Sequence, residues 1–210
     1  KRHMCIRDRA DVDRLIAEVD AALGPVDLLV NNAGIFDYGD HHETTVQLWH
    51  RTIAVNLTSA FLVSWAVKDG MIARGYGRIV NVSSLAAVIH RSNLIHYSTA
   101  KSAVVAFTRQ CADAFAPHVR VNCLAPGLID TDMARTANQE MVQTLVEHTP
   151  LGRIGTPAEM AAAVMVHVAR VAKSRRQNAP FASTSIQNNI LRFCHVNMLY
   201  VGNVFANLKF

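Results

Sequence analysis

The sequence predicts an α/β fold in which a parallel sheet is covered by helices on both faces. Three short apolar runs alternate with segments whose apolar residues recur at helical spacing. Each run is followed by a polar or glycine-containing motif, as expected where a buried strand ends and the chain turns. Strands that alternate with helices of about 12 or more residues indicate βαβ units, and such units build a doubly wound parallel sheet.

The elements follow from local sequence signals. Residues 11–23 have helical periodicity that Gly24-Pro25 ends, and Val26–Val30 is a short apolar run typical of a buried strand. The later elements, in order, are a long helix at 44–69, a strand at 78–84, a helix at 97–115, a strand at 119–125 and a helix from Thr156 to about 169. Thr156, Pro157 and Glu159 form the capping-box signature of that last helix.

Net charge and hydropathy exclude several classes of function. The net charge is +5, but residues 170–210 hold six basic residues and no acidic one, which leaves −1 on residues 1–169. The basic character therefore belongs to the tail, and we expect neither nucleic acid nor membrane as a partner. No run approaches the roughly 18 apolar residues that cross a bilayer, and residues 1–13 do not resemble a secretory leader.

The four cysteines show neither C-x-x-C spacing nor a metal-ligand pattern. Cys111 and Cys123 lie in apolar periodic segments, where a reduced buried thiol is the ordinary interpretation. We expect no metal site, and a reducing, cytoplasmic setting.

Tyr97-Ser-Thr-Ala-Lys101 is the sharpest chemical feature of the sequence. Positions i and i+4 of a helix share a face, so the phenol and the ammonium can point into one cleft. Ser84 ends the preceding strand, and Asn56 lies further upstream. Alone, such a pair is a weak signal, and Asn56 elsewhere would be a solvated helix residue.

Several motifs in a fixed order closely resemble the short-chain dehydrogenase/reductase family, including its 3-oxoacyl-acyl-carrier-protein reductases. The resemblance covers roughly residues 8–169, through NNAG (31–34), VNL (55–57), RIVNVSS (78–84), YSTAK (97–101), VRVNCLAPG (119–127), the segment 131–133 and PLGRIGTPAEMA (150–161). It implies a Rossmann-like fold and an oxidoreductase that transfers hydride between NAD or NADP and a small carbonyl or secondary-alcohol substrate. It also implies a homo-oligomer, a dimer or tetramer, in the intact family member.

The resemblance assigns catalytic roles to four residues. Tyr97 would be the general acid or base, Ser84 would hydrogen-bond the substrate oxygen, and Asn56 would hold a water of a proton relay. Lys101 would hold the nicotinamide ribose and lower the pKa of the phenol from about 10. Lowering the phenol pKa to near 7 requires about 4 kcal/mol. An ammonium at roughly 4 Å, with an effective dielectric near 20, contributes about that much if the cleft is partly dry.

The remaining motifs are implied to hold the cofactor. Ala33 and Gly34 would allow close backbone approach, and Asn32 is the better candidate contact of the two asparagines in NNAG. Pro126-Gly127 would form the turn beneath the nicotinamide, where the Ile129 backbone and the Thr131 hydroxyl would also touch the cofactor. Residues 132–150 are expected to form a mobile substrate lid.

The sequence departs from the family at both ends. The family opens with a strand, a glycine-rich turn and a helix that receives the pyrophosphate, and only thirty residues precede Asn31. We expect residues 1–169 to be an N-terminally truncated domain with an incomplete sheet and weak NAD(P) binding. Residues 170–210 match nothing in the family and are expected to be an unrelated, disordered basic tail.

Two interpretations of function remain open from the sequence. The first is an NAD(P)-dependent oxidoreductase that uses Tyr97. The second is an inactive truncated fragment or pseudoenzyme that acts only by association with intact subunits.

Overall fold

Parallel strands and covering helices make up the computed structural model, which describes residues 8–89, 92–135, 139–169 and 199–201. The strands are β1 (Leu28–Asn31), β2 (Gly77–Val82), β3 (Val119–Pro126) and β4 (Leu199–Val201). The helices are α1 (Arg9–Leu23), α2 (Val46–Ile53), α3 (Ser59–Ala73), α4 (Ile95–Ala114), α5 (Asp132–Arg135), α6 (Gln139–Glu147) and α7 (Pro157–Ala169). The sheet order is β1-β2-β3-β4, and each neighbouring pair is parallel. The predicted parallel α/β fold is confirmed.

Both faces of the sheet are covered, as a doubly wound arrangement requires. Val121 packs with side chains of α3 and α4 in a cluster of buried apolar residues: Val67, Met71, Ile79, Cys111, Phe115 and Val119. The preceding residue, Arg120, projects to the opposite face because successive side chains of a strand alternate. Its guanidinium donates to the carbonyl oxygen of His167 in α7 (3.0 Å). Helix α7 therefore covers the second face.

The long helix predicted over residues 44–69 is interrupted. Thr45 caps α2, its hydroxyl accepting from the Leu48 N–H (3.1 Å), and α3 continues to Ala73. Between them, Ala54–Thr58 form one π-helical turn. A π-turn widens the helix and is found most often at functional sites. The predicted long helix is therefore present over residues 46–73 and contains one π-turn, whose middle residue is Asn56.

The two edge strands of the described sheet come from different parts of the sequence. β1 pairs with β2 on one side, and its Leu28 and Val30 side chains are 40% and 37% exposed. β4 pairs with Leu124–Pro126 of β3 and is the one described piece of the predicted basic tail. The rest of residues 170–210 lies outside the described residues, as do Cys5 and Cys194.

Polar side chains tie the strands to the helices inside the core. The amide of Asn31 donates to Asn81 (2.7 Å) and to the hydroxyl of Ser64 (3.0 Å), and Asn81 donates to Thr108 (2.9 Å). Buried polar groups satisfied in this way hold the carboxyl ends of β1 and β2 against α3 and α4. Within the described ranges, no helix has both the length and the apolar character needed to cross a bilayer.

Candidate active site

A cavity of about 600 Å³ opens where β1, β2 and β3 end. The carboxyl edge of an open parallel sheet is where α/β proteins bind ligands. Every residue that the sequence singled out lines this cavity: Asn32, Ala33, Gly34, Asn56, Ser84, Tyr97, Lys101, Pro126, Gly127, Ile129 and Thr131. The fold therefore brings all the predicted catalytic and cofactor-binding residues together at one cavity.

Tyr97 and Lys101 lie one turn apart on α4 and share its inner face. The Lys101 Nζ atom is 5.8 Å from the centre of the Tyr97 ring. The hydroxyl of Ser84, which follows β2, lines the same cavity and interacts with the phenol. Three chemical groups from two elements, a phenol, an ammonium and a hydroxyl, thus meet at one edge of the sheet.

The backbone at the end of β2 is fixed to α4 by two short contacts. The Ser83 hydroxyl donates to the Lys101 carbonyl oxygen (2.7 Å), and the Lys101 ammonium donates to the Val82 carbonyl oxygen (3.0 Å). Ser84 itself is extended and caps a short 3₁₀ turn, since its hydroxyl accepts from the Ala86 N–H (3.1 Å). Ser83 is therefore a structural residue, as its position at a strand end suggested.

The electrostatics of the pair differ from the sequence expectation. Burial raises the pKa of Tyr97, and the hydrogen bond from Ser84 opposes that shift. Burial lowers the pKa of Lys101 to about 8, partly offset by the nearby Cys123 thiol. The expected lowering of the phenol pKa by Lys101 is therefore wrong for this structure. The ammonium lies over the ring and is held by a backbone carbonyl, so desolvation of the phenol prevails.

Asn56 is buried, and the π-turn directs its side chain to the cavity. Its amide nitrogen donates to the carbonyl oxygens of Ile35 (3.0 Å) and Thr52 (3.1 Å). Its side-chain oxygen has no hydrogen-bond partner among the described residues. A buried acceptor without a partner is costly, so this oxygen is suited to hold a water or a ligand donor.

Gly34 is the point at which the chain after β1 approaches these groups most closely. A Cβ atom on Gly34 would lie 2.8 Å from the Asn56 side-chain oxygen and 3.3 Å from the Lys101 Nζ atom. The absence of a side chain therefore leaves room for Asn56 and Lys101 to face the same backbone segment. The glycine of NNAG has a spatial reason in this chain.

An isolated β-bridge between Ile129 and Gly155 joins the segment after β3 to the segment before α7. The Gly155 N–H donates to the Leu128 carbonyl oxygen, and the Asp130 N–H donates to the Gly155 carbonyl oxygen, both at 2.9 Å. A Cβ atom on Gly155 would lie 2.6 Å from the Ile129 side chain, so the two segments pack closely. The predicted lid, residues 132–150, contains α5 and α6, and Met133, Met141 and Leu145 from it line the cavity.

Two neighbours of the site were not recognised from the sequence. Phe36 lines the cavity and meets the Tyr97 ring edge to face, with centroids 4.9 Å apart. His96 is fully buried in the first turn of α4, and its Nε2 donates to the Asp37 carbonyl oxygen (3.0 Å). A weak signal existed for Phe36, an aromatic residue two positions after the NNAG motif.

Comparison with known families agrees with the fold and the motifs. The family described as short chain dehydrogenase matches residues 2–142. This chain belongs to the short-chain dehydrogenase family. The predicted family resemblance, including its likeness to 3-oxoacyl-acyl-carrier-protein reductases, is thereby confirmed, and the family is one of oxidoreductases with a Rossmann-like fold.

Individual relatives of this short-chain dehydrogenase carry varied names. It is 40% identical over 167 residues to the inactive 2-(S)-hydroxypropyl-CoM dehydrogenase 2 of Xanthobacter autotrophicus, covering 76% of this chain and 73% of that protein. It is 36% identical to the 3-oxoacyl-[acyl-carrier-protein] reductase FabG of Aquifex aeolicus, covering 77% and 66%. A solved gluconate 5-dehydrogenase of Burkholderia cenocepacia, in complex with NADP and tartrate, is similar with a TM-score of 0.73 and 33% identity, covering 77% and 64%. The chain thus spans about two thirds of the length of these proteins.

Proposed function

We propose that this short-chain dehydrogenase site interconverts a carbonyl and a secondary alcohol, with Tyr97 exchanging the proton of the substrate oxygen. The observation that carries the proposal is the meeting of the Tyr97 phenol, the Ser84 hydroxyl and the Lys101 ammonium at one cavity. A carbonyl that accepts hydride needs a proton at its oxygen, and a positioned acid supplies it.

The state of the phenol suits the reductive direction. Because burial raises its pKa, Tyr97 stays protonated near neutral pH and is ready to donate. The Ser84 hydroxyl, which interacts with the phenol, can hydrogen-bond a substrate oxygen and fix its distance from Tyr97. Lys101 lies within reach to stabilise the phenolate that donation leaves behind.

Proton supply to the interior is the role proposed for Asn56. Its unpartnered oxygen and the Lys101 ammonium both face Gly34. A water held by this oxygen would connect the ammonium to the rest of the cavity and return a proton towards Tyr97. Asn56 is thus proposed as the residue that holds this water.

The cofactor proposed for this site is NAD or NADP. Bound there, it supplies or accepts the hydride. The residues proposed to hold it are Asn32, Ala33, Gly34, Tyr97, Lys101, Pro126, Gly127, Ile129 and Thr131. The fit is supported by the unpartnered Asn56 oxygen and by the close approach that Gly34 permits. The solved gluconate 5-dehydrogenase, a relative by fold and sequence, holds NADP.

Substitution of the proposed acid tests this function. Tyr97→Phe keeps the ring and removes the proton, so kcat for reduction should fall about 10²- to 10⁴-fold. The assay follows loss of NADPH or NADH absorbance with acetophenone as the carbonyl probe. Tyr76→Phe is the matched control, because Tyr76 is exposed and does not line the cavity. Equal rates for Tyr97→Phe and the unsubstituted chain would refute the proposal.

A second candidate function is that of an inactive member which acts through association with other subunits. One relative at 40% identity is itself named inactive. Fluorescence titration with NADH and NADPH separates the two candidates. No cofactor binding by the 210-residue chain favours the inactive protein, and micromolar affinity favours the enzyme.

Association with a second copy and a cytoplasmic location complete the proposal. Phe61, Trp65 and Phe107 form an aromatic cluster on α3 and α4, and Phe61 is 37% exposed. Such a patch is suited to a subunit interface. The buried Cys111 and Cys123 are free thiols, which fits a reducing compartment.

A further inference from the structure

Phe36 forms a fixed aromatic wall beside the proposed acid. Its ring meets Tyr97 at 4.9 Å with an interplanar angle of 90°, and Tyr38 meets Phe36 at 5.0 Å and 85°. Edge-to-face contacts of this kind are favourable beyond the area that they bury. All three rings line the cavity, so the space immediately next to the phenol is bounded on one side by Phe36.

The backbone on both sides of Phe36 is held by buried side chains. The Ile35 carbonyl oxygen accepts from Asn56 (3.0 Å), and the Asp37 carbonyl oxygen accepts from His96 (3.0 Å). Asn56 is 2% exposed and His96 is fully buried, so neither anchor is free to move away. The backbone that carries the Phe36 ring is therefore preorganised, and the ring packs edge to face against Tyr38 and Tyr97.

The charged groups of the cavity are already engaged. Among the described residues, those that line it are Lys101, Arg153 and Glu159. Lys101 donates to the Val82 carbonyl oxygen, while Arg153 makes two bonds to the Glu159 carboxylate (2.6 and 3.1 Å). The cavity lining also includes the apolar side chains of Ile89, Leu94 and Met133. An anionic substrate would have to compete with Glu159 for Arg153.

We propose that Phe36 determines specificity and that the substrate is a neutral ketone, or the corresponding alcohol, with a small substituent on the Phe36 side and a larger apolar one elsewhere. The inference rests on the proposed function of this cavity. The preorganised ring excludes branching beside the reacting carbon, and the apolar lining accepts the larger group.

Binding of matched ketones tests the inference without requiring turnover. The probes are acetophenone, isobutyrophenone, which is branched on the small side, and benzoylformate, which is anionic there. Saturation-transfer NMR on the 210-residue chain gives the dissociation constants. The unsubstituted protein should prefer acetophenone to both others, and Phe36→Ala should improve isobutyrophenone relative to acetophenone by about tenfold. Phe36→Leu should show a smaller change in the same direction.

Tyr76→Ala is the matched control, since it removes an aromatic ring outside the cavity and should leave the ratio unchanged. An unaltered ratio in both Phe36 variants overturns the inference, as does tighter binding of benzoylformate or no binding of acetophenone. Failure of the proposed function is recognised separately, because there Tyr97→Phe leaves turnover unchanged whatever ketone is preferred.

Discussion

Lys101 shows how one buried residue couples the chemistry of the site to the stability of the fold. The side chain is 4% exposed, and its ammonium has lost most of its hydration. One hydrogen bond to the Val82 carbonyl oxygen compensates only part of that loss. A residue placed for function at the expense of stability is common in active sites.

The pH dependence of stability should reveal this cost. Burial lowers the pKa of Lys101 from 10.5 to about 8 in the folded chain. Between these values the unfolded chain binds more protons, so the contribution of Lys101 to the free energy of unfolding rises with pH. Below pH 8 both states are charged, and the folded state carries a penalty of about 3 kcal/mol.

Lys101→Met should therefore raise the free energy of unfolding at pH 7, by about 1–2 kcal/mol once the lost hydrogen bond is subtracted. The gain should shrink above pH 8 and change sign before pH 10.5, because the burial penalty is relieved while the cost of the lost hydrogen bond remains. Urea denaturation of both proteins across this range measures it, with Lys68→Met as the control for loss of charge. A difference independent of pH would contradict the argument.

At the scale of elements, the cap of α7 fixes the start of a helix beside the segment that lines the cavity. The predicted capping box of α7 is present: the Thr156 N–H and hydroxyl donate to Glu159 (2.8 and 3.0 Å), and the Glu159 N–H donates to the Thr156 hydroxyl (3.3 Å). The Arg153 guanidinium and Thr156 hold the pKa of Glu159 well below its usual value. This box starts α7 directly after Gly155, the residue bridged to Ile129.

Removal of the cap should weaken the fold without touching the phenol. Thr156→Ala leaves the first turn of α7 with an unsatisfied N–H and should lower the free energy of unfolding by about 1 kcal/mol. Thr156→Ser retains the hydroxyl and should cost much less. Urea denaturation of the three proteins compares them. Equal losses for alanine and serine would show that the hydroxyl does not stabilise the helix.

At the scale of the 210-residue chain, the side of β1 that has no partner among the described residues has the largest physical consequence. In the described part of the chain, β1 pairs only with β2. Its exposed Leu28 and Val30 lie beside unpaired backbone groups, which template pairing with other chains. Association through this edge is therefore expected at high concentration.

Charge at the edge should suppress that association. Leu28→Lys places a solvated cation beside the open backbone groups, so the onset of light scattering should move to higher protein concentration. Leu23→Lys is the control, because Leu23 is 85% exposed on α1 and away from the strand. Equal protection by both variants would show that general apolar exposure, and not the strand edge, causes association.

The sequence by itself determined strands β1 to β3, helices α1 to α4 and α7, the family and the set of residues that share one edge of the sheet. Local signals suffice for these, because the period of apolar residues, the caps and the motif order depend only on near neighbours. Tertiary structure alone decided the π-turn at Asn56, the direction of the Tyr97 and Lys101 pKa shifts and the wall made by Phe36. These depend on desolvation and on contacts between segments distant in sequence, such as Phe36 with Tyr97 and His96 with Asp37. Such contacts exist only once the strands and helices have packed.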